Sequence, residues 1–268
     1  MVYFVATPIG NLKDITLRAL ETLKSADVIF CEDTRHTIKL LNAYEIKKPL
    51  QACHKFNEKE AAEKILQAAR RGEVVAVVSD AGTPVVSDPG NTVCKLLREA
   101  GETYTLIPGA CAFVAALVLS ALPADRFAFI GFLPDKTGEK KAVLEKYKDS
   151  DLTLAFHCAP QDIDKNIQAM YEVFGERKAA AVREITKLHE ETLPFMLSEG
   201  LAGEKRGEYV LIVEGAKEGE SPLNSLSEKE HIRHYMAAGL DKKEALKRAA
   251  KDRGVSKSEL YPFTIDIF

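Results

Sequence analysis

The chain has 268 residues, a length that fits two compact domains better than one small domain. Hydrophobic residues make up 46% of the sequence and charged residues 29%, as in ordinary globular proteins. The formal net charge of −3 argues against a protein that wraps nucleic acid by bulk positive charge. RNA remains open as a substrate, because a local basic face is enough for a catalyst that binds and releases.

No basic segment with a cleavage site begins the chain, so we predict no secretory signal and a cytoplasmic location. The longest apolar run, 110–122, is shorter than the roughly 20 residues of a membrane helix, and we expect a buried helix there. The 5 cysteines lack C-x-x-C spacing, which predicts neither a disulfide framework nor a metal site. His231 and His234 lie in a polar helical pattern, where we expect a solvated face and no metal.

Apolar runs rich in β-branched residues alternate with helical patterns along most of the chain. In the first part the predicted strands are 2–6, 28–31, 74–79 and 103–107, and the predicted helices 17–24, 59–71 and 92–100. In the second part the predicted strands are 127–132, 152–156, 179–183 and 209–213, and the predicted helices 140–148 and 162–174. The alternation predicts two α/β domains, the first with a largely parallel sheet covered by helices on both faces.

A segment rich in Gly, Pro, Ser and Glu, 214–225, is predicted to be a linker to a small helical appendage. Helices are predicted at 227–237 and 241–253, with a short third helix from Ser256. Ser227 with Glu230, and Asp241 with Glu244, have the spacing of helix-start capping boxes. We therefore predict domains at 1–120 and 121–222 and an appendage of helix-turn-helix type at 223–268, which could contact RNA or support docking or dimer formation.

Three loops follow predicted strands of the first domain, at 6–11, 79–90 and 108–112. Ligands of open α/β sheets bind at the carboxyl ends of the strands, so we expect a ligand site here. The first loop lacks the G-x-G-x-x-G and Walker patterns, which argues against dinucleotides and nucleoside triphosphates. The second contains Pro84, Pro89, Gly82, Gly90 and two aspartates, more constrained residues than a plain connector needs.

These loops resemble those of the tetrapyrrole methylase superfamily over about residues 1–215. The likeness is strongest to the branch that modifies ribosomal RNA, since Ala81-Gly82-Thr83-Pro84 stands where porphyrin-methylating relatives have Gly-Gly-Asp-Pro. Three further segments fit that branch: Glu32-Asp33-Thr34-Arg35-His36-Thr37, Asp125-Arg126-Phe127 and Gly131-Phe132-Leu133-Pro134. The resemblance implies a cleft between two α/β domains that binds S-adenosylmethionine. It also implies 2′-O-methylation of a cytidine in 16S ribosomal RNA of the small subunit, and a homodimer.

The resemblance places cofactor contacts on all three loops and at two points of the second domain. The residues concerned are Pro8, Asp80, Ala81, Gly82, Thr83, Ser87, Cys111, Ala112, Cys158 and Glu184. One segment departs from the branch, which usually has Tyr-Glu-Ser-Pro/Thr-His-Arg where this chain has His157-Cys158-Ala159-Pro160-Gln161. The acidic and basic members are missing, so we expect the wall of the cleft to survive and its local contacts to differ.

A sulfonium methyl group is already electrophilic, so the predicted reaction needs no metal. The enzyme must hold the ribose oxygen about 3 Å away, in line, and assist loss of its proton. Lys187, after the strand 179–183, is the candidate for lowering the pKa of that hydroxyl or gripping phosphate, and Glu184 for orienting it or contacting the cofactor. Arg35, His36 and Asp33 are candidate RNA contacts.

His54 follows the next strand and could join the same RNA-binding rim. In the alternative interpretation of this rim, Glu32 and Arg35 form a surface ion pair and His36 caps a helix. Phe4, Phe30, Phe113 and Phe129 fall in apolar elements and are expected in the core. With no Trp and 8 Tyr, the sequence offers little sign of base stacking.

Two other functions remain open at this point. A methylase acting on a small molecule, such as a corrin precursor, or on a modified protein residue would keep the cleft without needing Arg35 and His36. A non-catalytic sensor would bind the cofactor without turnover. Dense polar loops on separate strands favour an enzyme.

Overall fold

The structure is a computed structural model that describes residues 1–216 and 222–265. Residues 217–221 of the predicted linker and the last three residues of the predicted appendage lie outside the described residues. Two five-stranded sheets, each packed against helices, are followed by three further helices in the described residues. The predicted fold class is confirmed.

The first sheet is parallel throughout. Its strands are β1 (Val2–Val5), β2 (Val28–Cys31), β3 (Leu50–Ala52), β4 (Val75–Val78) and β5 (Tyr104–Ile107). They lie in the order β3-β2-β4-β1-β5. The crossover helices are α1 (Leu17–Ser25), α2 (Thr34–Ala43), α3 (Glu58–Arg70) and α4 (Asn91–Glu99).

Successive side chains of these strands pack on opposite faces of the sheet. Phe4 and Phe30 pack with α3 and α4, whereas Val5 and Ile29 pack with α1 and α2. Both faces are thereby buried at the central strands β1, β2 and β4, which explains their continuous apolar runs.

The second sheet is mixed. Its strands are β6 (Phe127–Phe132), β7 (Thr153–Cys158), β8 (Lys178–Arg183), β9 (Glu191–Met196) and β10 (Tyr209–Val213). They lie in the order β6-β7-β10-β8-β9, where β6 and β7 are parallel and the other neighbours antiparallel. One face is covered by α6 (Thr137–Glu145) and α7 (Ile163–Phe174).

The other face of the second sheet is covered by α5 (Ala112–Ser120), which directly follows the first sheet. Ala116 and Leu117 are buried there, but Val114 and Val118 are 45% and 74% exposed. The expectation of a buried helix is therefore wrong for the side of α5 that carries these two residues. The domain limits 1–120, 121–222 and 223–268 remain a proposal; α5 lies within the first range and packs on the sheet of the second.

The appendage consists of α8 (Glu228–Ala237), α9 (Lys242–Arg253) and α10 (Lys257–Leu260), which share a small apolar core. Ser227 and Glu230 form a full capping box, as predicted. Asp241 accepts a hydrogen bond from the amide of Glu244 at the start of α9. Arg248 forms an ion pair with Asp149, which ties the appendage to the second domain.

Three elements and one histidine differ from the expectations. No range was predicted for β3, and α2 and β9 were not predicted; β9 is an edge strand containing Pro194, a position where proline is tolerated, so its signal is weak. His231 is not on a solvated face but fully buried, where its Nε2 lies 3.1 Å from Asp252. Hydrogen bonds to charged partners within the appendage offset the cost of burying the His231 ring.

No helix in the described ranges has the length and apolarity to cross a membrane. Across residues 1–216 and 222–265, no group of three or more His, Cys, Asp or Glu side chains is placed to hold a metal ion.

Candidate active site

The three loops that follow β1, β4 and β5 are joined to one another. Thr7 and Gly82 exchange two backbone hydrogen bonds of 2.8 and 3.0 Å. Thr83 then donates from its hydroxyl to the carbonyl of Ala110 at 3.3 Å. Gly82 has a φ of +79°, a conformation that favours glycine, and a Cβ there would lie 3.3 Å from Ile9. The loops thus form one rigid floor at the carboxyl edge of the first sheet.

Above this floor a cavity of about 380 Å³ opens between the two sheets, within the range usual for small-molecule sites. Its first-domain lining is Ile9, Ala81, Gly82, Thr83, Val86, Ser87, Asp88, Cys111, Ala112 and Phe113. Its second-domain lining is Phe132, His157, Cys158, Ala159, Pro160, Ile185, Glu208, Tyr209 and Val210. The lining is mainly apolar with a few polar groups, which is typical of a site that encloses an organic ligand.

Strained backbone occurs on both sides of this cleft. Val85 and Ser87 have φ values of 77° and 67° in the loop after β4, and Glu184 and Thr186 have 48° and 67° after β8. Two of these residues are β-branched, for which positive φ is unfavourable. Strain of this kind persists where the surroundings impose it and concentrates at functional sites. Both loops are therefore candidates for the chemistry of the cleft.

Three carboxylates lie around the floor of the cleft. Burial, and then the negative charge of Asp80, raise the pKa of Asp88, although a hydrogen bond from Ser79 opposes the shift. Burial, followed by Asp80 and Asp88, also raises the pKa of Glu32. Asp80 itself accepts a 3.0 Å hydrogen bond from the amide of Asp33. Neighbouring carboxylates oppose one another's ionisation here, so a cationic ligand stabilises their ionised forms.

The segment that departs from the family motif forms part of the cavity wall. The His157 ring stacks on Phe132 at 5.2 Å and meets Phe129 edge-on at 5.1 Å, and burial lowers its pKa. Cys158 accepts a hydrogen bond from the Asn166 amide at 3.1 Å, and burial raises its pKa to about 11. Both side chains are thus neutral at physiological pH. This segment lines the cavity, and it carries no charge at these two positions.

Lys187 and Glu184 form an ion-paired group at the rim of the cleft. The Lys187 ammonium donates to Glu184 at 2.8 Å and to Glu208 at 2.9 Å. Burial alone lowers the pKa of Lys187, but these hydrogen bonds outweigh it and raise the pKa. The hydrogen bond from Lys187, with another from the Glu208 amide, lowers the pKa of Glu184. Lys187 is therefore a fixed positive charge and not a proton acceptor.

Asp33 and Arg35 interact with each other at the start of α2. The Asp33 carboxylate accepts from the Arg35 backbone amide at 2.8 Å and pairs with its guanidinium at 2.7 Å. These bonds lower the pKa of Asp33 to about 2. The N-cap of α2 is Asp33, and the ion pair is Asp33–Arg35, so the alternative with Glu32 and a capping His36 is wrong in its details. His36 is exposed on the first turn of the helix.

The cavity brings together part of the predicted site. Of the predicted cofactor contacts, those that line it are Ala81, Gly82, Thr83, Ser87, Cys111, Ala112 and Cys158. Pro8, Asp80 and Glu184 lie next to lining residues, and the predicted RNA contacts lie outside the lining. Phe113, expected in the core, lines the cavity and stacks on Phe129 at 4.3 Å. Phe132 and Tyr209 were missed because no local pattern distinguishes a cleft-facing residue of a strand from a core residue, and Glu208, just before β10, was missed because nothing in its local sequence marks a site.

The chain belongs to the tetrapyrrole (corrin/porphyrin) methylase family, whose model matches residues 1–199. The predicted resemblance is confirmed, and so is the enzyme class, a methyltransferase.

The chain is 43% identical to ribosomal RNA small subunit methyltransferase I of Bacillus subtilis, over 97% of this chain and 92% of that protein. It is 41% identical to the protein of the same name from Halalkalibacterium halodurans, over 97% of this chain and 93% of that one. Among solved structures, it matches a Thermus thermophilus uroporphyrin-III C-methyltransferase complexed with S-adenosylhomocysteine. That match has a TM-score of 0.55 at 20% identity, covering 79% of this chain and 96% of that one, and shows the fold.

Proposed function

We propose that the chain transfers a methyl group from S-adenosylmethionine to the ribose 2′-hydroxyl of a cytidine in 16S ribosomal RNA of the small subunit. One observation carries the proposal: a cleft with methylase architecture in a chain that is similar over nearly its whole length to two proteins named ribosomal RNA small subunit methyltransferase I. The substrate named for those relatives is an RNA, and the reacting oxygen and nucleotide follow from the resemblance seen in the sequence.

The lining residues fit an S-adenosyl ligand. Gly82, Ala81 and Ala112 leave the loop backbones accessible to a flat group, and Phe113 offers an apolar face. Asp88 supplies negative charge on the floor, where burial raises its pKa and makes a positively charged ligand favourable. We assign cofactor binding to these residues with Thr83, Ser87, Cys111 and Cys158, and place Pro8, Asp80 and Glu184 as their supports.

The methyl donor supplies an electrophilic carbon on a positively charged sulfur. The protein's own task is to position the ribose oxygen and to stabilise the negative charge that grows on it as its proton leaves. Lys187 suits this second role because it is held protonated near Ile185 and Glu208, which line the cavity. Glu184 orients Lys187 through the 2.8 Å ion pair. Arg35, His36 and His54 would contact RNA phosphate or base.

We also propose that the protein acts as a homodimer in the cytoplasm. The exposed apolar side chains of α5 are Val114, Val118 and Leu119, and Leu106 of the edge strand β5 is also exposed. A second copy of the chain would bury such side chains favourably. Small ribosomal subunits, the proposed substrate, are cytoplasmic.

The test is methyl transfer from labelled S-adenosylmethionine to small ribosomal subunits lacking the modification, with nucleosides identified by mass spectrometry. We expect 2′-O-methylcytidine. Lys187→Ala is expected to lower kcat at saturating subunits by about 10²-fold, the usual contribution of one such group, whereas Lys165→Ala, at an exposed position of α7, is the matched control. No label in RNA, with cofactor binding intact, would overturn the assignment and favour a small-molecule substrate.

A further inference from the structure

Phe56 is the most exposed aromatic side chain in the first domain, at 86% of its full accessible area. Exposed phenylalanine is unfavourable in water unless a partner covers it. The position is not a frayed end, because Asn57 fixes the turn on either side of it. The Asn57 side chain accepts from the amide of His54 at 2.8 Å and donates to the carbonyl of Ala52 at 3.0 Å. The ring is thus presented outward by a braced turn.

Two groups that carry or can carry positive charge flank this ring. The Lys55 ammonium lies over the Phe56 ring, 5.0 Å from its centre, and the His54 ring meets it edge-on at 6.1 Å. The Nδ1 atom of His54 is buried and has no hydrogen-bond partner among the described residues. An exposed aromatic face beside a cation is the combination by which proteins hold an unpaired base and its phosphate.

The turn lies on the same edge of the first sheet as the cleft. The backbone amide of Cys53 donates to the carbonyl of Cys31 at 2.7 Å, so the segments after β2 and β3 leave the sheet side by side. Glu58, two residues beyond Phe56, accepts from the amides of Gly90 and Thr92 at 2.8 and 2.9 Å. These bonds join the turn to the end of the loop that forms the floor of the cleft.

Electrostatics relate the turn to the same site. Burial, Asp80 and Asp88 raise the pKa of Glu32, whereas His54 and Lys55 lower it. The turn therefore lies within electrostatic range of the acidic floor. A polyanion is repelled by the floor and attracted by Lys55. RNA would accordingly be held at the rim, with only the reacting nucleotide entering the cleft.

We propose that Phe56, assisted by Lys55, is a stacking platform for an unpaired base of the substrate RNA. The inference rests on the proposed function and adds a binding residue outside the cavity. The amino-acid composition gave little sign of base stacking. A single exposed ring on a hydrogen-bonded turn is nevertheless enough to stack on one base. Phe56 contacts the substrate and takes no part in cofactor binding.

The first experiment measures kinetics on small ribosomal subunits. Phe56→Ala is expected to raise the KM for subunits about tenfold, the size expected for losing one base–aromatic stack, with kcat retained within about twofold. Phe56→Tyr restores a low KM, whereas Phe56→Leu does not, because a leucine is apolar but has no ring. Tyr171→Ala, at an exposed position of α7, is the matched control. An unchanged KM in Phe56→Ala overturns the inference.

The second experiment uses the lack of tryptophan in the chain. Phe56→Trp places one fluorophore on the platform, and Tyr171→Trp places one on α7 as the control. A single-stranded RNA oligonucleotide should quench the first and not the second, and an abasic oligonucleotide of equal length should quench neither. Equal quenching by both oligonucleotides, or none by the RNA, overturns stacking. If wild-type protein fails to methylate subunits at all, the proposed function itself fails, which is a separate result.

Discussion

Lys187 of the second domain lies directly against Gly10 of the first. A Cβ at Gly10 would be 2.5 Å from Cγ and 2.9 Å from Cε of Lys187, and 3.2 Å from the carbonyl oxygen of Ile185. Beside this contact the hydroxyl of Thr186 donates a hydrogen bond to Asp14. The candidate catalytic lysine is therefore positioned from both sides: by Glu184 and Glu208 on its own domain and by a glycine of the facing loop.

Gly10→Ala should displace Lys187 and impair transfer. Because the clash reaches Cγ, near the base of the side chain, and backbone lies behind it, we expect a loss of stability of about 1–3 kcal/mol and a fall in kcat of about tenfold or more. Thermal unfolding and single-turnover methylation measure the two effects. Gly138→Ala is the control, since a Cβ there meets nothing within 4 Å. Equal kcat in both variants would contradict the placement of Lys187.

Asp88→Asn should weaken binding of S-adenosylmethionine more than binding of S-adenosylhomocysteine, which lacks the sulfonium charge. Burial and Asp80 raise the pKa of Asp88, so its ionised fraction declines at pH values above the ordinary range of an aspartate. As pH falls through this raised pKa, affinity of the wild type for the cationic ligand should fall, and Asp88→Asn should lose that dependence. Calorimetric titration across pH measures it, with Asp125→Asn as the control. An equal loss for both ligands would rule out the electrostatic role.

S-adenosylmethionine should protect Cys111 from alkylation. Cys111 lines the cavity and is half-buried, whereas Cys94 is half-buried on α4 outside the lining. Burial raises the pKa of both thiols, so alkylation by iodoacetamide should speed up as pH rises and more thiolate forms. Peptide mass spectrometry should show slower labelling of Cys111 with the cofactor present and no change at Cys94. Identical protection of the two would point to a global change instead of occupancy of the cleft.

The appendage should lose stability in mild acid through His231. Burial lowers the pKa of this residue, although the hydrogen bond and charge of Asp252 oppose the shift; Arg253 lowers it further. The unfolded chain takes up a proton near the ordinary histidine pKa of about 6.5, and the folded one resists it. Stability is therefore present above that pH and lost as pH falls through the folded-state pKa. Melting curves at several pH values measure this, and a His231→Gln variant should show a smaller dependence.

Local signals in the sequence predicted much of the fold. The ranges 28–31, 127–132 and 209–213 match β2, β6 and β10 to the residue. Ser227 caps α8 as predicted, because the capping residues lie three apart in the chain. Two elements were not predicted, α2, which begins inside the motif singled out for RNA contacts, and β9, whose edge position allows proline and exposed residues; β3 was given no range.

Part of the site could also be predicted from the sequence, because the carboxyl ends of parallel strands meet at one edge of the sheet. That rule placed Gly82, Thr83 and Cys111 in one cleft, where they line the cavity. It said nothing of which second-domain side chains face them. His157 and Tyr209 lie on strands, where the alternation of residues does not distinguish a cleft-facing position from a core-facing one, and Glu208 lies just before β10.

The sequence by itself determined the two α/β domains, the family and the three loops, because periodicity, caps and turn residues act over a few neighbouring positions. Only the tertiary structure decided that Lys187 meets Gly10, that Phe113 lines a cavity while one side of α5 stays exposed, and that Phe56 projects beside the cleft. These relationships join residues far apart in the chain. They depend on how two sheets dock through α5 and the facing loops, and the free energy of that docking is spread over contacts that no local pattern encodes.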